Sequence, residues 1–462
     1  MKRIVGIWDT FILTHPPAFW FRKHQTFRRM FGDRQRPGSV SEVTDQLIDL
    51  YTRQKLMSGS CRKWQMIPSS GRRDGDIPFT LMSYNILAQD LLEMHPYLYN
   101  QHDSVALAWA HRYDRLITEI NTINPDILCL QELQDTHKEQ FSRGLTNFKY
   151  DVIYKKRTGC KTDGCAIYYR RDMFNLIDSQ GVEFYRPDVK RLDRENVAII
   201  AKFELKSNPS QHLVVATTHL LYNPRRQDIR LAQIQVMLAE LDRFSYKGKY
   251  SNGTPSYTPT IVCGDFNLEP YTAPYMLLTT GFLQYENLAG NTLEPGGSGA
   301  PLGKILLPST LGITDDCRHQ SLLKRGNNES NVSIRLQHAN EVSPSNEPKV
   351  KCTATDKCFN QGTLKHRFRF CSAYQHRIGT KKQEASTFQG TWITVDYLFY
   401  TKFYKTSEVD SVKSNLKLAA VYSLPTVPQA RGISSIPNMY FGSDHFALAA
   451  KFLLRPDETA KL

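Results

Sequence analysis

A short polar run, residues 263–267, directly follows the apolar stretch 260–262. An apolar run of this length is typical of a buried strand, and Gly264 predicts a sharp turn at its end. Asp265 and Asn267 would then point from the strand tip into one cleft, where their oxygens suit a hard cation such as Mg²⁺ and the phosphate it holds. The alternative is a surface turn rich in Gly, Asp and Asn. Matching strand tips elsewhere in the chain decide between the two.

Further apolar segments end in, or enclose, side chains of the same chemical kind. Taken singly, each has an ordinary explanation, because a strand-end Asn or Glu is commonly a cap or a turn and a lone His is commonly structural. Together with Asp265 and Asn267, they predict one centre to which several strand tips deliver metal ligands and proton-transfer groups. These residues are Asn85 after 80–84, Glu132 after 126–131, His219 after 213–218, Asp396 within 393–400, and Asp444 and His445 before the last apolar run.

The carboxylates in this set predict a metal-dependent phosphoesterase. Hydrolysis of a phosphoester needs an attacking water, charge neutralisation on the non-bridging oxygens, and help for the leaving oxygen. Mg²⁺ usually takes only one or two protein carboxylates, and Mn²⁺ is an alternative cofactor. We predict Glu132 as the main metal ligand, Asn85 beside it on the metal or the phosphate, and Asp444 as a third group.

The remaining side chains of the set predict the proton transfers. We expect Asp265 to orient or deprotonate the attacking water, for which burial or nearby carboxylates would have to raise its pKa. Asn267 is a neutral donor for the oxygen charge that grows in the transition state. His219 and His445, when protonated, would donate to a non-bridging oxygen or to the leaving group.

The order of these segments resembles the exonuclease/endonuclease/phosphatase superfamily over about residues 77–455. The similarity is closest to the deadenylase branch that includes nocturnin. Within that branch the chain resembles the Angel proteins, more the second of the two mammalian forms, through ITVDYLFY (393–400) and HLLYNPRRQDIRLAQ (219–233). The motifs that carry the wider resemblance are SYNILAQD (83–90), PDILCLQE (125–132), DGCAIYYR (163–170), TTHL (217–220), GDFN (264–267) and SDHF (443–446).

The resemblance implies a fold and one residue pair. The fold is α/β, with two mixed β-sheets packed as a sandwich and flanked by helices, the four-layer α/β/β/α architecture of DNase-I-like enzymes. The pair joins the histidine of SDH to the aspartate of DY, here His445 to Asp396. An aspartate in that place fixes the tautomer of the imidazole and favours its charged form.

The same resemblance implies an activity on RNA 3′ ends, from mRNA or from tRNA fragments. The Angel branch is similar to RNA 2′,3′-cyclic phosphatases, which remove the terminal cyclic phosphate and leave a cis-diol. A 3′→5′ poly(A) exonuclease (a deadenylase) would use the same residues, so the motifs leave both activities open. A third alternative is a scaffold that binds RNA or translation factors with little catalysis, although every predicted site position keeps a functional side chain.

Aromatic, proline and arginine side chains after two of the strand tips predict the nucleotide pocket. Proteins that read RNA ends stack the bases on such platforms. Ordinary loop packing with solvated arginine side chains explains any single one of these residues equally well. The predicted pocket residues are Tyr222, Asn223, Pro224 and Arg225 after His219, and Tyr271 after NLEP (267–270).

The composition agrees with a protein that attracts nucleic acid. The chain of 462 residues carries 59 Lys and Arg against 45 Asp and Glu, a formal charge of +14. Nine cysteines with no CxxC pair and no secretory signal predict a reducing compartment without disulfides. Since no apolar run reaches the roughly 18 residues of a membrane span, we expect no membrane association. The expected location is the cytoplasm, with a nuclear fraction as the alternative.

The chain divides into an extension and one catalytic domain. Residues 1–76 are basic and rich in aromatic side chains, and we expect a partly flexible segment that offers a site for a protein partner. The catalytic domain is predicted over 77–455, with a polar surface loop inserted at about 324–351. Apolar side chains at helical spacing predict helices over 103–124 and about 226–244.

Overall fold

Two β-sheets, each covered by helices on its outer face, make up most of the chain that the computed structural model describes. Residues 1–60 of the predicted extension and the predicted loop at 324–351 lie outside the described residues. The described ranges are 61–68, 71–145, 149–251, 253–323, 358–402 and 414–456.

The first sheet has seven strands and is antiparallel except for one central pair. In that pair Ile77–Asn85 runs parallel to Ile127–Gln134, with Asn85 opposite Gln131. The two strands therefore end at the same edge of the sheet. In spatial order the strands of the first sheet are Trp64–Met66, Leu416–Tyr422, Leu448–Leu454, Ile77–Asn85, Ile127–Gln134, Asp163–Arg170 and Tyr150–Lys156.

The second sheet has six strands and likewise contains one parallel pair. Here Asn208–His219 runs parallel to Thr260–Asp265, with His219 opposite Asp265. The side chains that end this pair are again at one edge. In spatial order the strands of the second sheet are Cys371–Ser372, Asp396–Tyr400, Thr260–Asp265, Asn208–His219, Val197–Leu205 and Phe174–Glu183.

Alternating apolar side chains on the central strands hold the two sheets together. Val215 and Ile261 are fully buried in a core that they share with Leu81 of the first sheet. Their neighbours Val214 and Val262 point the other way, into a separate core beneath the outer helix. Burying a side chain of this size stabilises the fold by roughly 1.5–3 kcal/mol. Neighbouring residues of a strand point to opposite faces of the sheet. Because both neighbours are apolar here, each central strand is buried on both faces.

Helices complete the outer layers and confirm the four-layer architecture. Trp109–Ile123 packs on the first sheet through Leu116 and Ile120, and Gln227–Ser245 packs on the second through residues such as Leu231. The helix predicted over 103–124 is divided at Ala108, where the backbone is extended. The α-helices that lie wholly within the described ranges are Gln89–Met94, Ser104–Leu107, Trp109–Ile123, Lys138–Gly144, Gln227–Ser245, Ala273–Thr280 and Val427–Ile433, and the 3₁₀ helices there are Pro96–Leu98, Asp135–His137, Ser309–Leu311 and Gln320–Leu322.

Short two-stranded sheets lie in the connections between these layers. They add local backbone pairing to long loops that would otherwise leave their polar groups without partners. Their strand pairs are Tyr246–Lys249 with Pro255–Tyr257, Phe282–Gln284 with Thr363–Lys365, and Thr387–Phe388 with Trp392–Ile393.

The first sheet begins upstream of the predicted domain start at residue 77. Trp64–Met66 pairs antiparallel with Leu416–Tyr422. The nearby Arg62 is buried, and its Nη1 donates to the carbonyl oxygen of Ser423 at 3.0 Å. We therefore propose that the catalytic domain includes residues 61–68.

Gly264 does not turn the chain, contrary to the sequence prediction. It lies inside the strand Thr260–Asp265 with a φ of +136°. A Cβ at this position would lie 2.0 Å from the carbonyl oxygen of Thr218 on the neighbouring strand. Close approach of the two strands therefore requires glycine here. The strand ends at Asp265, and a left-handed residue follows at Asn267, where φ is +52°.

The cysteines and the helices of the described ranges were each predicted to lack a feature, disulfides and a membrane span respectively. Each of the eight cysteines in the described ranges is a free thiol. Among the helices of those ranges, none has both the length and the apolar character that crossing a membrane requires. The cellular location stays a prediction.

Candidate active site

The strand ends of both sheets meet at one edge of the sandwich. Asn85 ends a strand of the first sheet, and Glu132 lies near the end of the next. His219 and Asp265 end the parallel pair of the second sheet, and Asp396 begins the antiparallel strand that places it opposite Asp265. Because the carboxyl ends of parallel strands share an edge, the fold brings these predicted residues into one centre.

Asn85 links the two sheets within this centre. Its Nδ2 donates to Oε1 of Glu132 at 2.9 Å and to Oδ2 of Asp265 at 3.0 Å. Its Oδ1 accepts the backbone N–H of Leu87 at 3.0 Å. The backbone N–H of Ala88 donates to the second oxygen of Glu132 at 2.9 Å. Asn85 thus fixes both carboxylates, and its predicted contact with a metal or a phosphate stays a prediction.

Glu132 occupies a strained position in its strand. Its φ is +61°, at the point where Ile127–Gln134 shifts register against Asp163–Arg170. A non-glycine residue in the left-handed region costs on the order of 1–3 kcal/mol. The irregularity allows two consecutive side chains to point inward. Nε2 of Gln131 donates to Oγ1 of Thr217 in the second sheet at 2.8 Å, and Glu132 accepts from Asn85.

Burial makes both central carboxylates unusually ready to hold a proton. Burial and then the Asp444 carboxylate raise the pKa of Glu132. Burial and then the Asp396 carboxylate raise the pKa of Asp265 to about 8. Charged oxygens gathered in a dry site need a cation or a proton to compensate them. At pH 7 a group with a pKa near 8 is mostly protonated, so Asp265 needs a nearby cation to free its carboxylate for use as a base.

His445 forms the pair with Asp396 that the family resemblance implies. Its Nδ1 lies 2.8 Å from Oδ2 of Asp396. Burial acts to lower the pKa of His445, but the Asp396 carboxylate, with Asp444 and Asp265, holds that pKa well above its usual value. Nε2 of the ring lies 3.8 Å from Oδ2 of Asp265. The geometry therefore presents a charged N–H to the centre.

His219 differs from His445 in its electrostatic surroundings. Its Nε2 lies 3.6 Å from Oδ2 of Asp265, and its Nδ1 lies 3.9 Å from Oε1 of Glu132. Burial and then the nearby Arg157 guanidinium lower the pKa of His219 to about 4. We expected both imidazoles to donate as cations, whereas these surroundings keep His219 neutral near pH 7.

Asn267 and Asp444 flank the central carboxylates. The backbone N–H of Asn267 donates to Oδ1 of Asp265 at 2.9 Å, and its Nδ2 donates to the carbonyl oxygen of Leu220 at 3.1 Å. The amide has a second N–H, which suits the predicted donor role. Oδ2 of Asp444 accepts the hydroxyl of Tyr99 at 2.8 Å, which orients this carboxylate beside the site.

The predicted nucleotide-binding residues lie in exposed loops after the strand tips. Tyr222 is 54% exposed, and its pKa is raised by partial burial and by the charges of Asp444 and Asp265. The side chain of Tyr222 is therefore close enough to the site to interact electrostatically with its carboxylates. Tyr271 is also exposed, and its ring lies 5.6 Å from that of Tyr275 in the next helix. Their part in binding stays a prediction, as it does for the exposed Asn223, Pro224 and Arg225.

The donor set of the centre fits a hard divalent cation. Glu132, His219 and Asp265 offer ligand atoms that all lie within 4.8 Å of one another. Asp265, Asp396 and His445 satisfy the same distance, but the last two already bond each other. The buried carboxylates Glu132 and Asp265 are therefore the oxygen ligands that fit Mg²⁺ or Mn²⁺ best.

Three supporting residues were missed by sequence reasoning. Gln131 precedes Glu132 in a quoted motif, and its position two residues after the buried Cys129 could have indicated a polar group facing inward. Nδ2 of Asn196 donates to the carbonyl oxygen of His219 at 3.1 Å. Tyr99 bonds a partner 345 residues away, and no local pattern predicts such a contact.

A sandwich of two mixed sheets with these groups at one edge defines a phosphoester hydrolase. The chain belongs to the Endonuclease/Exonuclease/phosphatase family, whose sequence profile matches residues 82–445. This confirms the resemblance drawn from the motifs.

The comparisons also identify individual relatives. The chain is 34% identical to Protein angel homolog 2 of Homo sapiens over 407 residues, 84% of this chain and 71% of the relative. It is 32% identical to Protein angel of Drosophila melanogaster over 379 residues, 81% of this chain and 80% of the relative. The crystal structure of ANGEL2, a 2′,3′-cyclic phosphatase, in complex with adenosine-2′,3′-vanadate matches with a TM-score of 0.68 at 33% identity. That match covers 86% of this chain and 99% of the ANGEL2 chain.

Proposed function

We propose that this protein hydrolyses terminal 2′,3′-cyclic phosphates on RNA 3′ ends and leaves a 2′,3′-diol, with Mg²⁺ as its cofactor. The observation that carries the proposal is the likeness in sequence and fold to ANGEL2, a 2′,3′-cyclic phosphatase. The formal charge of +14 supports a polyanionic substrate. The convergence of the predicted strand tips supports chemistry at phosphorus.

Asp265 is the group best placed to handle the attacking water. Its Oδ2 lies between the two imidazoles, 3.6 Å from Nε2 of His219 and 3.8 Å from Nε2 of His445. Its raised pKa of about 8 suits it to take a proton as the water attacks phosphorus. General-base help of this kind contributes typically about 10²–10⁴-fold.

His445 is the group best placed to protonate the leaving oxygen. Asp396 holds its Nδ1, so the proton on Nε2 faces the centre. When one of the two P–O bonds of the cyclic phosphate breaks, the departing ribose oxygen takes this proton. A second attack by water on the resulting phosphomonoester would release inorganic phosphate and free the other ribose oxygen.

Asn267 and His219 are suited to bind the non-bridging oxygens. Asn267 offers an amide N–H, and His219, neutral because of its low pKa, offers a ring N–H without adding charge. Glu132 would hold the cation, and Asp265 would remain available to the attacking water. When bound, Mg²⁺ supplies positive charge that neutralises the phosphate oxygens.

Two labelled RNAs test the proposal. One ends in a 2′,3′-cyclic phosphate and the other in an oligo(A) tract with a 3′-OH, and each is incubated with the purified full chain and Mg²⁺. We expect the first RNA to change mobility without shortening and to release inorganic phosphate, and the second to stay intact. EDTA and Glu132→Ala should each abolish the reaction.

The alternatives have their own signatures in the same assay. A ladder on the oligo(A) RNA would replace the proposal with a deadenylase. Inertness on both RNAs, with Glu132→Ala equal to wild type in RNA binding, would favour a scaffold. The proposed protein partner of residues 1–76 and the cytoplasmic location require separate experiments in cells.

A further inference from the structure

Two arginines, Arg112 and Arg230, are the largest fully buried side chains among the described residues. They come from opposite outer layers, Arg112 from the helix Trp109–Ile123 and Arg230 from the helix Gln227–Ser245. In the part of the chain that the structure describes, neither guanidinium lies within ion-pair distance of a carboxylate. Burying such a charge is costly unless its N–H groups find acceptors.

Arg112 gives its hydrogen bonds to two loops of the site. Its Nη2 donates to the carbonyl oxygens of Ile86 at 2.6 Å and Leu87 at 2.5 Å, and its Nε donates to that of Gly442 at 2.8 Å. Its Nη1 donates to Oε1 of Gln89 at 2.7 Å. All three N–H-bearing nitrogens of the guanidinium are therefore engaged by the segments that follow Asn85 and precede Asp444.

Those segments support Asn85 and the carboxylates of Glu132 and Asp444. The N–H groups of residues 87 and 88 donate to Asn85 and Glu132. The hydroxyl of Ser443, next to Gly442, donates to the carbonyl oxygen of Asn85 at 2.7 Å. A Cβ at Gly442 would lie 2.4 Å from the carbonyl oxygen of Arg112, so this loop is also in direct contact with the helix. Arg112 therefore contacts the backbone segments that position Asn85, Glu132 and Asp444, and does not hydrogen-bond to these three side chains directly.

Arg230 does the same for the loop after His219. Its Nη1 donates to the carbonyl oxygens of Leu221 at 2.8 Å, Tyr222 at 3.3 Å and Asn223 at 2.8 Å, and its Nη2 donates to that of Pro224 at 3.0 Å. Its Nε donates to Oε1 of Gln227 at 3.2 Å. One buried cation therefore gathers four consecutive carbonyl groups.

The gathered loop is the predicted nucleotide-binding loop. With its carbonyls turned inward to Arg230, the loop leaves the side chains of residues 222–225 exposed. Gln233, from the same helix, adds a bond from the backbone N–H of Leu221 to its Oε1 at 3.1 Å. The backbone of this loop is thus fixed before any substrate arrives, which lowers the ordering cost of binding.

We infer that Arg112 and Arg230 are positioning residues with separate tasks. Arg112 sets the carboxylates that hold the metal and take part in the chemistry, and Arg230 sets the loop that holds the terminal nucleotides of the RNA. The second half of this inference rests on the proposed function. Lysine cannot replace either residue, because it has three donors on one atom instead of five in a planar fork.

The test compares Arg112→Lys, Arg230→Lys and Arg62→Lys with wild type. Arg62 is the matched control, since it is also buried and donates to backbone carbonyls, those of Ser423 and Ala447. Turnover is measured on the cyclic-phosphate RNA. Mn²⁺ affinity is measured by electron paramagnetic resonance, and affinity for the 3′-OH product RNA by fluorescence anisotropy. Thermal melting monitors folding.

For Arg112→Lys we expect kcat and Mn²⁺ affinity to fall by about 10- to 100-fold, the usual effect of losing support for a metal ligand, with product affinity within twofold of wild type. For Arg230→Lys we expect KM and the product dissociation constant to rise about tenfold, with kcat and Mn²⁺ affinity unchanged. Arg62→Lys should lower only the melting temperature.

The inference would be overturned if the two variants changed kcat, KM, Mn²⁺ affinity and product affinity equally. It would also be overturned if their effects were no larger than those of Arg62→Lys. If a lysine variant does not fold, Gln89→Leu and Gln227→Leu replace it, because each removes only one acceptor of the respective guanidinium; the same split must then appear at smaller size. Wild-type inertness on the cyclic phosphate would defeat the proposed function, while the two binding measurements would still test the positioning roles.

Discussion

Nδ1 of His445 lies 2.8 Å from Oδ2 of Asp396, 49 positions earlier in the chain. The contact joins the loop before the first-sheet strand Leu448–Leu454 to the start of the second-sheet strand Asp396–Tyr400. Both side chains are buried. The contact fixes which nitrogen of the ring faces the centre and holds the pKa of His445 well above its usual value. A charged imidazole at neutral pH is therefore a property of the pair.

Asp396→Asn should make catalysis fail from the alkaline side. In wild type the raised pKa keeps His445 protonated well above its ordinary range, whereas an amide at 396 lets burial lower that pKa. If protonated His445 serves the leaving oxygen, the variant loses its acid as the pH rises. We expect kcat at pH 8 to fall by at least about 100-fold, with a smaller loss at pH 6.

The measurement is a kcat–pH profile of Asp396→Asn beside Asp172→Asn, a surface carboxylate that pairs with Arg170. The control should keep the wild-type profile. If the ratio of wild-type to Asp396→Asn rates is the same at pH 6 and pH 8, His445 does not act as the proton donor.

Asp265→Asn should remove a loss of stability that the metal-free protein undergoes as the pH rises. The pKa of Asp265 is about 8 in the folded state against 3.8 ordinarily. Between these values the folded state binds the proton that the unfolded state has released, so stability falls as pH rises from about 4 to 8. An amide at 265 removes this loss, along with the activity.

Melting curves in EDTA at pH 5 and pH 8 check this prediction. We expect the melting temperature of the variant relative to wild type to rise by on the order of 2–4 °C from pH 5 to pH 8. A loss that is the same at both pH values is expected besides, because an amide offers one acceptor oxygen to the two N–H donors of Asn85 and Asn267. Added Mg²⁺ should then stabilise wild type more than the variant. A wild-type advantage that grows with pH in EDTA would contradict the expectation.

The fold class and the strand-tip positions of the candidate site residues were predicted from the sequence, but the contacts that hold these residues in place were not. Asp265 and His219 each end an apolar strand, so their strand-tip position is readable locally. Their convergence depends on which strands are parallel, and no local pattern in the sequence shows that arrangement. The bonds from Tyr99 to Asp444 and from Arg112 to Gly442 could not be read, because their acceptors reach these residues only through tertiary structure. The error at Gly264 has the same origin, since the demand for glycine comes from a neighbouring strand.

Gly264→Ala should therefore destabilise the fold because of a steric clash. Its added Cβ would meet the carbonyl oxygen of Thr218 at 2.0 Å, in the middle of the second sheet. We expect a loss above about 3 kcal/mol in urea unfolding, or no folded protein. Gly248→Ala is the matched control, because Gly248 has a similar φ of +145° but open space around it. Equal losses in the two variants would show that φ, and not the clash, sets the cost.

Tyr222→Ala should weaken RNA binding without slowing the chemical step. The ring is 54% exposed in the loop that Arg230 fixes, so it is available to stack on a base without further ordering. Stacking of a base on an aromatic ring is worth about 1–3 kcal/mol. We expect KM for the cyclic-phosphate RNA to rise by about 5- to 100-fold, with kcat within twofold of wild type. Phe282→Ala, which removes a ring of similar exposure (53%) from the short strand Phe282–Gln284, should leave both constants unchanged. Tyr222→Trp should restore KM, and a variant whose kcat falls while KM stays constant would place Tyr222 in the chemistry instead of in base stacking.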